Sequence, residues 1–146
     1  MVFDLLISNG LIVDGTGKPG YHSDIGIKDG TITAIGMLKD ASAKKRIDAT
    51  NLAVTPGFID THSHSELRLL EDPRPEEKIR QGITTEILGQ DGLSVAPIEE
   101  DNIPLVKQVV AGLLGKPNVN WNWLSLKEYF ERLNQKGLPV NVGYLV

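Results

Sequence analysis

Two histidines, His62 and His64, stand two residues apart after the short run Pro56-Gly57-Phe58-Ile59-Asp60. In extended backbone, side chains at i and i+2 share a face, so both imidazoles can be offered to one point. Paired imidazoles suit a borderline-soft divalent cation such as zinc. Spacing alone leaves a second reading open, in which the pair is merely polar and sits on a loop. Context favours the site: an acid, Glu66, follows closely, and the C-terminal ends of strands are where α/β barrels assemble their chemistry.

Asp91 is the next candidate. It follows the β-rich run Thr84-Thr85-Glu86-Ile87-Leu88, the same place after its strand that the histidines hold after theirs. Parallel neighbouring strands would bring the two ends together, and a carboxylate can ligate or bridge hard cations. Taken by itself, Gly89-Gln90-Asp91-Gly92 reads more readily as a turn in which the aspartate supports the backbone. Gly89 and Gly92 are read as turn residues, since neither dinucleotide nor P-loop glycine spacing is present. Trp121 and Trp123 are read as packing. His22 lies in a Gly/Ser/Asp-rich turn and is read as a surface residue.

Composition narrows the classes. The 146 residues carry 15 basic and 19 acidic side chains, a net charge of −4. A nucleic-acid surface would show clustered Lys/Arg, and the single dense cluster, Lys44-Lys45-Arg46, reads as a solvated loop. The absence of cysteine excludes disulfides, thiolate ligands and a Cys nucleophile. The N-terminus lacks the basic and apolar regions of a signal peptide, and no apolar run approaches the ~20 residues that cross a bilayer. The expectation is a soluble, cytoplasmic protein without nucleic-acid or membrane partners.

The elements that must position these residues fall into two parts. Residues 1–55 read as short strands in a small, mostly antiparallel β module. Ser8-Asn9-Gly10 predicts a hairpin between Leu5-Leu6-Ile7 and Leu11-Ile12-Val13. Lys28-Asp29-Gly30 predicts a second hairpin, and Ile47 and Leu52-Ala53-Val54 add strand material. Residues 56–146 alternate. Phe58-Ile59 predicts a strand, followed by a polar loop and a helix from Pro75 to Arg80 closed by Gly82. Thr84–Leu88 predicts a strand, and the apolar spacing from Ile103 to Leu114 a helix. Ser125-Leu126-Lys127-Glu128 is a capping box that opens a helix to about Asn134, ended by Gly137. Val140 to Val146 predicts a last strand. Such alternation predicts parallel strands with crossover helices, and the uninterrupted apolar runs predict strands buried on both faces.

Pro56-Gly57-Phe58-Ile59-Asp60-x-His62-x-His64 resembles the metal-binding signature of the amidohydrolase superfamily. Asp24-Ile25-x-Ile27-x-x-Gly30-x-Ile32-x-x-Ile35-Gly36 resembles part of the small β-sandwich that accompanies that barrel. Lys78-Ile79-Arg80-Gln81-Gly82-Ile83-Thr84-Thr85 and Gly92-Leu93-Ser94-Val95-Ala96-Pro97 are similar to the D-aminoacylase branch, the N-acyl-D-amino-acid deacylases. The resemblance implies an α/β fold: the N-terminal part of a β-sandwich over 1–55, then over 56–146 the first strands and helices of a truncated TIM-like (β/α)8 barrel. It makes His62 and His64 ligands of one metal, with one or two divalent ions, zinc foremost. It sets Asp91 at a position where that branch carries a cysteine, so a harder ligand replaces a thiolate.

The same resemblance implies hydrolysis of small N-acyl-D-amino acids. Sibling cyclic-amide hydrolases and a non-catalytic β/α assembly module are the alternatives. The general base and further histidine ligands are expected downstream, so no catalytic residue is assigned within the chain and the substrate-binding groups are unassigned. A full barrel needs about 250 residues. The expectation is therefore an N-terminal portion, inactive alone, with an open strand edge that invites self-association.

Overall fold

Residues 2–146 are described by a computed structural model. They form two units, Met1–Pro56 and Gly57–Val146. The first is a five-stranded sheet built around β1 (Val2–Ile12), with β2 (Tyr21–Lys28), β3 (Thr31–Gly36), β4 (Ser42–Asp48) and β5 (Ala53–Val54). β1, β2 and β3 pair antiparallel, whereas β4 and β5 both join β1 in parallel. The expected, mostly antiparallel module is thus a mixed sheet. Phe3, Leu6, Ile12, Ile25 and Ala49 are its buried apolar residues.

The two hairpin signals divide. At Asp29-Gly30 both residues take positive φ and β2 turns directly into β3, as a tight two-residue connection requires. At Asn9-Gly10 no turn forms. Asn9 takes a φ of 64° inside a continuous β1, and the register with β2 shifts there. The local signal is met by a bulge because Asp24, itself buried, accepts the Asn9 N–H at 2.9 Å and the Leu38 N–H at 2.8 Å. Lys44-Lys45-Arg46 lies on the edge strand β4 and not in a loop, with Lys44 paired to Asp4 at 2.7 Å. Charged side chains on an edge discourage pairing with other chains. His22 lies on β2 instead of a turn, and it is exposed.

In the second unit, β6 (Phe58–Asp60), β7 (Ile83–Leu88) and β8 (Asn141–Tyr144) form a parallel sheet in that order. The connections carry α1 (Glu66–Glu71), α2 (Glu76–Ile79), α3 (Ile103–Leu114) and α4 (Leu126–Lys136). α1 falls where a polar loop was expected. Its apolar Leu67, Leu69 and Leu70 are too few to show a helical period in the sequence, and their burial holds the helix. Pro75 precedes the first turn of α2 as its cap residue, one position earlier than expected. The capping box of α4 is formed: Ser125 Oγ accepts the Glu128 N–H, and Glu128 accepts the Ser125 N–H.

The core of this unit joins Leu67, Leu69 and Leu70 of α1 to Leu88, Val95, Val110, Trp123, Tyr129 and Leu133. Each such apolar side chain contributes roughly 1.5–3 kcal/mol on burial. Trp123 donates its indole N–H to the Val95 carbonyl at 2.8 Å and stacks on Trp121, so the tryptophan pair packs as read. Within this unit only the central strand β7 has fully buried side chains, Glu86 and Leu88. Phe58 and Ile59 of β6 are exposed, and β8 is only half-buried. No helix among the described residues is long and apolar enough to cross a membrane.

Candidate metal centre

β6 stops at Asp60, so the histidines lie just beyond the strand and not within it. The chain bends at Thr61 and His62 but stays tied to the sheet. Ser63 donates its N–H to the Ile87 carbonyl at 3.1 Å, which keeps the segment alongside β7. His62 and His64 both reach Asp91, whereas Ser63 and Ser65 both reach Glu86. The Asp60 carboxylate accepts the His62 N–H at 3.2 Å and steadies the exit from the strand.

Asp91 arrives from the end of β7. Gly89 enters its turn at φ 73° and Asp91 follows at φ 58°. A Cβ on Gly89 would lie 2.2 Å from the Leu145 carbonyl oxygen, so both conformation and space demand glycine. The Gln90 side-chain amide donates to the Thr61 and Ile87 carbonyls at 2.8 and 3.1 Å, tying the turn to the segment before His62. The outcome is convergence. Asp91 Oδ2 lies 3.1 Å from His62 Nε2 and 3.2 Å from His64 Nε2. One ligand atom from each of the three residues lies within 4.8 Å of the others.

This donor set fits a divalent cation. Two bonds of about 2.0–2.1 Å at a tetrahedral angle set their ligand atoms about 3.3 Å apart, close to the two spacings seen. Two imidazoles and a carboxylate match the preferences of zinc and its neighbours. His64 is the more enclosed ring, 18% exposed against 57% for His62, so the site opens to solvent on the His62 side.

Behind the histidines lies a polar layer of which the sequence singled out only Glu66. Glu86 of β7 is fully buried, and its Oε2 accepts from Ser63 and from Ser65, the latter at 2.7 Å. Lys78 of α2 pairs with Asp60, donates to Ser63 at 3.1 Å and lies 3.6 Å from Glu86. The hydrogen bond from Lys78 holds the Asp60 carboxyl below its usual range. Burial works to lower the Lys78 ammonium, but Asp60 and Glu86 outweigh it and raise it overall. Glu66, which opens α1, is fully buried and accepts the Gly89 N–H at 2.8 Å. Burial pushes its carboxyl up. The available signal was Glu86, a charge inside an otherwise β-rich run, which calls for a buried partner.

A parallel α/β unit with two imidazoles and a carboxylate converging at its strand ends defines a class of candidate metal-binding proteins. Residues 45–134 match the amidohydrolase family, and residues 1–57 match the urease alpha-subunit N-terminal domain. The chain belongs to the amidohydrolase family. It is 38% identical over 143 residues to an N-acyl-D-glutamate deacylase of Alcaligenes xylosoxydans xylosoxydans, covering 98% of this chain and 28% of that protein. It is 44% identical over 102 residues to a D-aminoacylase of the same organism, covering 70% of this chain and 21% of the relative. The crystal structure of N-acyl-D-glutamate deacylase from Bordetella bronchiseptica, complexed with zinc and a phosphonate mimic of the tetrahedral intermediate, superimposes with a TM-score of 0.86. Identity there is 36%, over 100% of this chain and 30% of that one. The chain thus spans between a fifth and a third of the length of these relatives.

Proposed function

We propose that this chain is the N-terminal part of a metal-dependent hydrolase that cleaves the amide bond of N-acyl-D-amino acids, releasing a carboxylic acid and a free D-amino acid. The observation that carries the reading is the meeting of His62, His64 and Asp91. The relatives that match along the chain act on N-acyl-D-amino acids, which supports the substrate class. In this reading, residues 1–55 belong to a small β-sandwich. Residues 56–146 supply the first three strands and the intervening helices of a TIM-like barrel.

A divalent ion held by His62, His64 and Asp91, zinc foremost, would supply an acidified water and a polarised scissile carbonyl. The chain's own share is to hold that ion. His62 and His64 present Nε2 lone pairs, and Asp91 adds a negative oxygen that offsets the cation's charge. A carboxylate is harder than the thiolate that the family resemblance implies at this position, so the site accepts a wider range of divalent metals, one or two in number. The general base that takes the water's proton and returns it to the leaving amine is assigned to sequence outside these 146 residues. These residues alone are therefore expected to be inactive and, with a strand edge open, to self-associate.

The test uses the full-length protein with N-acyl-D-amino acids, their L-counterparts and cyclic amides, reading free amino acid and metal content together. Stoichiometric metal and preferential release of D-amino acids support the reading. Cyclic-amide hydrolysis in its place moves the enzyme to a sibling class. Metal-free, well-folded protein inert toward all three sinks the enzyme.

A further inference from the structure

Three buried polar atoms have no hydrogen-bond partner: Nδ1 of His64, Oε2 of Glu66 and Oε1 of Glu86. Buried polar groups are almost always paired, so an unpartnered imidazole nitrogen and an unpartnered carboxylate oxygen two residues apart call for one explanation. His64 turns Nε2 toward Asp91. A neutral imidazole that keeps its Nε2 lone pair for a cation must carry its proton on Nδ1. That N–H then needs an acceptor.

Glu66 is placed to provide it. It lies two residues after His64, and its Oε1 already accepts the N–H of Gly89, two residues before Asp91. One carboxylate thus touches the turn that delivers Asp91 and has a second oxygen left over. The rival acceptor is Glu86, whose Oε1 is unpartnered as well. Its other oxygen serves Ser63 and Ser65, which alternate with the histidines, and lies 3.6 Å from Lys78 Nζ.

We infer that Glu66 is a positioning residue of the metal centre: it takes the Nδ1–H of His64, directly or through one bridging water, while holding the Asp91 turn by its other oxygen. The inference rests on the reading of His62, His64 and Asp91 as metal ligands. Carboxylates behind ligating histidines fix the tautomer and raise ligand basicity, and losing one typically costs about 10–100-fold in metal affinity.

The experiment is Glu66→Gln in the full-length protein. The amide oxygen can keep the Gly89 bond, but the NH2 then opposes the Nδ1–H, donor against donor. Zinc affinity by chelator competition is expected to fall about 10–100-fold. The visible spectrum of the cobalt(II)-loaded protein should shift, while the melting midpoint of the metal-free protein stays in place. Unchanged affinity and spectrum overturn the inference, as does a larger loss from Glu86→Gln. Should Glu66→Gln not fold, a crystal structure of the unaltered metal-loaded protein decides. His64 Nδ1 within about 3 Å of Glu66 Oε2, or of a water shared with it, supports the assignment. Any other acceptor there overturns it. Unaltered protein that binds no metal overturns both this inference and the function proposed above.

Discussion

Oδ2 of Asp91 lies 3.2 Å from Nε2 of His64, although 27 residues separate them. The parallel pairing of β6 with β7 closes that distance, since it sets both strand ends on one side of the sheet. If Asp91 ligates, Asp91→Ala in the full-length protein should cost more zinc affinity than the roughly 10–100-fold typical of an outer-shell partner. Metal analysis after dialysis reads this directly. Full metal content in the variant would return Asp91 to a mere turn residue.

Lys78 is the cation that Asp60 and Glu86 share. Lys78→Met would leave both carboxylates facing each other in a largely buried layer. Breaking such a buried pair costs about 3 kcal/mol or more. Urea unfolding should show this loss, and adding Glu86→Gln should recover part of it, because one uncompensated charge goes. Strict additivity of the two changes would argue that the groups do not interact.

Gly89 and Gly92 flank Asp91 with nearly equal φ, 73° and 70°. Only at Gly89 would a Cβ meet anything, the Leu145 carbonyl at 2.2 Å. Gly92→Ala should therefore cost about 1 kcal/mol of backbone strain alone. Gly89→Ala should cost at least about 2 kcal/mol more through forced overlap, with loss of metal. Equal thermal shifts for the two variants would contradict the packing described.

Glu128 accepts backbone N–H groups of Ser125 and Leu124, which hold its carboxyl below the ordinary range. A lowered folded-state value stabilises the fold above the unfolded value, and that stability fades as pH falls through about 4.3 toward the lowered one. Glu128→Gln should flatten this acid limb in urea midpoints taken between about pH 7 and 3. An identical pH slope in variant and parent would remove the capping box from the acid sensitivity.

Legibility followed the range of the interaction. The α4 capping box, the Asp29-Gly30 hairpin and the glycine that ends α4 were readable because their partners lie within a few residues. Asn9-Gly10 carried the same local signal as Asp29-Gly30 and became a bulge, since Asp24, 15 residues away, takes its N–H. The six residues of α1 were hidden because their stability comes from packing, which a short sequence window does not record.

The sequence by itself determined the two imidazoles, their spacing and the aspartate in a glycine-flanked turn, because side-chain type and spacing are local properties. Tertiary structure alone decided that Asp91 reaches both histidines. It alone decided that Glu86, Lys78 and Glu66 form the layer behind them. Asp91 lies 29 residues from His62, and Lys78 15 residues from Ser63. Only strand order, crossover and the burial that strips water from charged groups can select them.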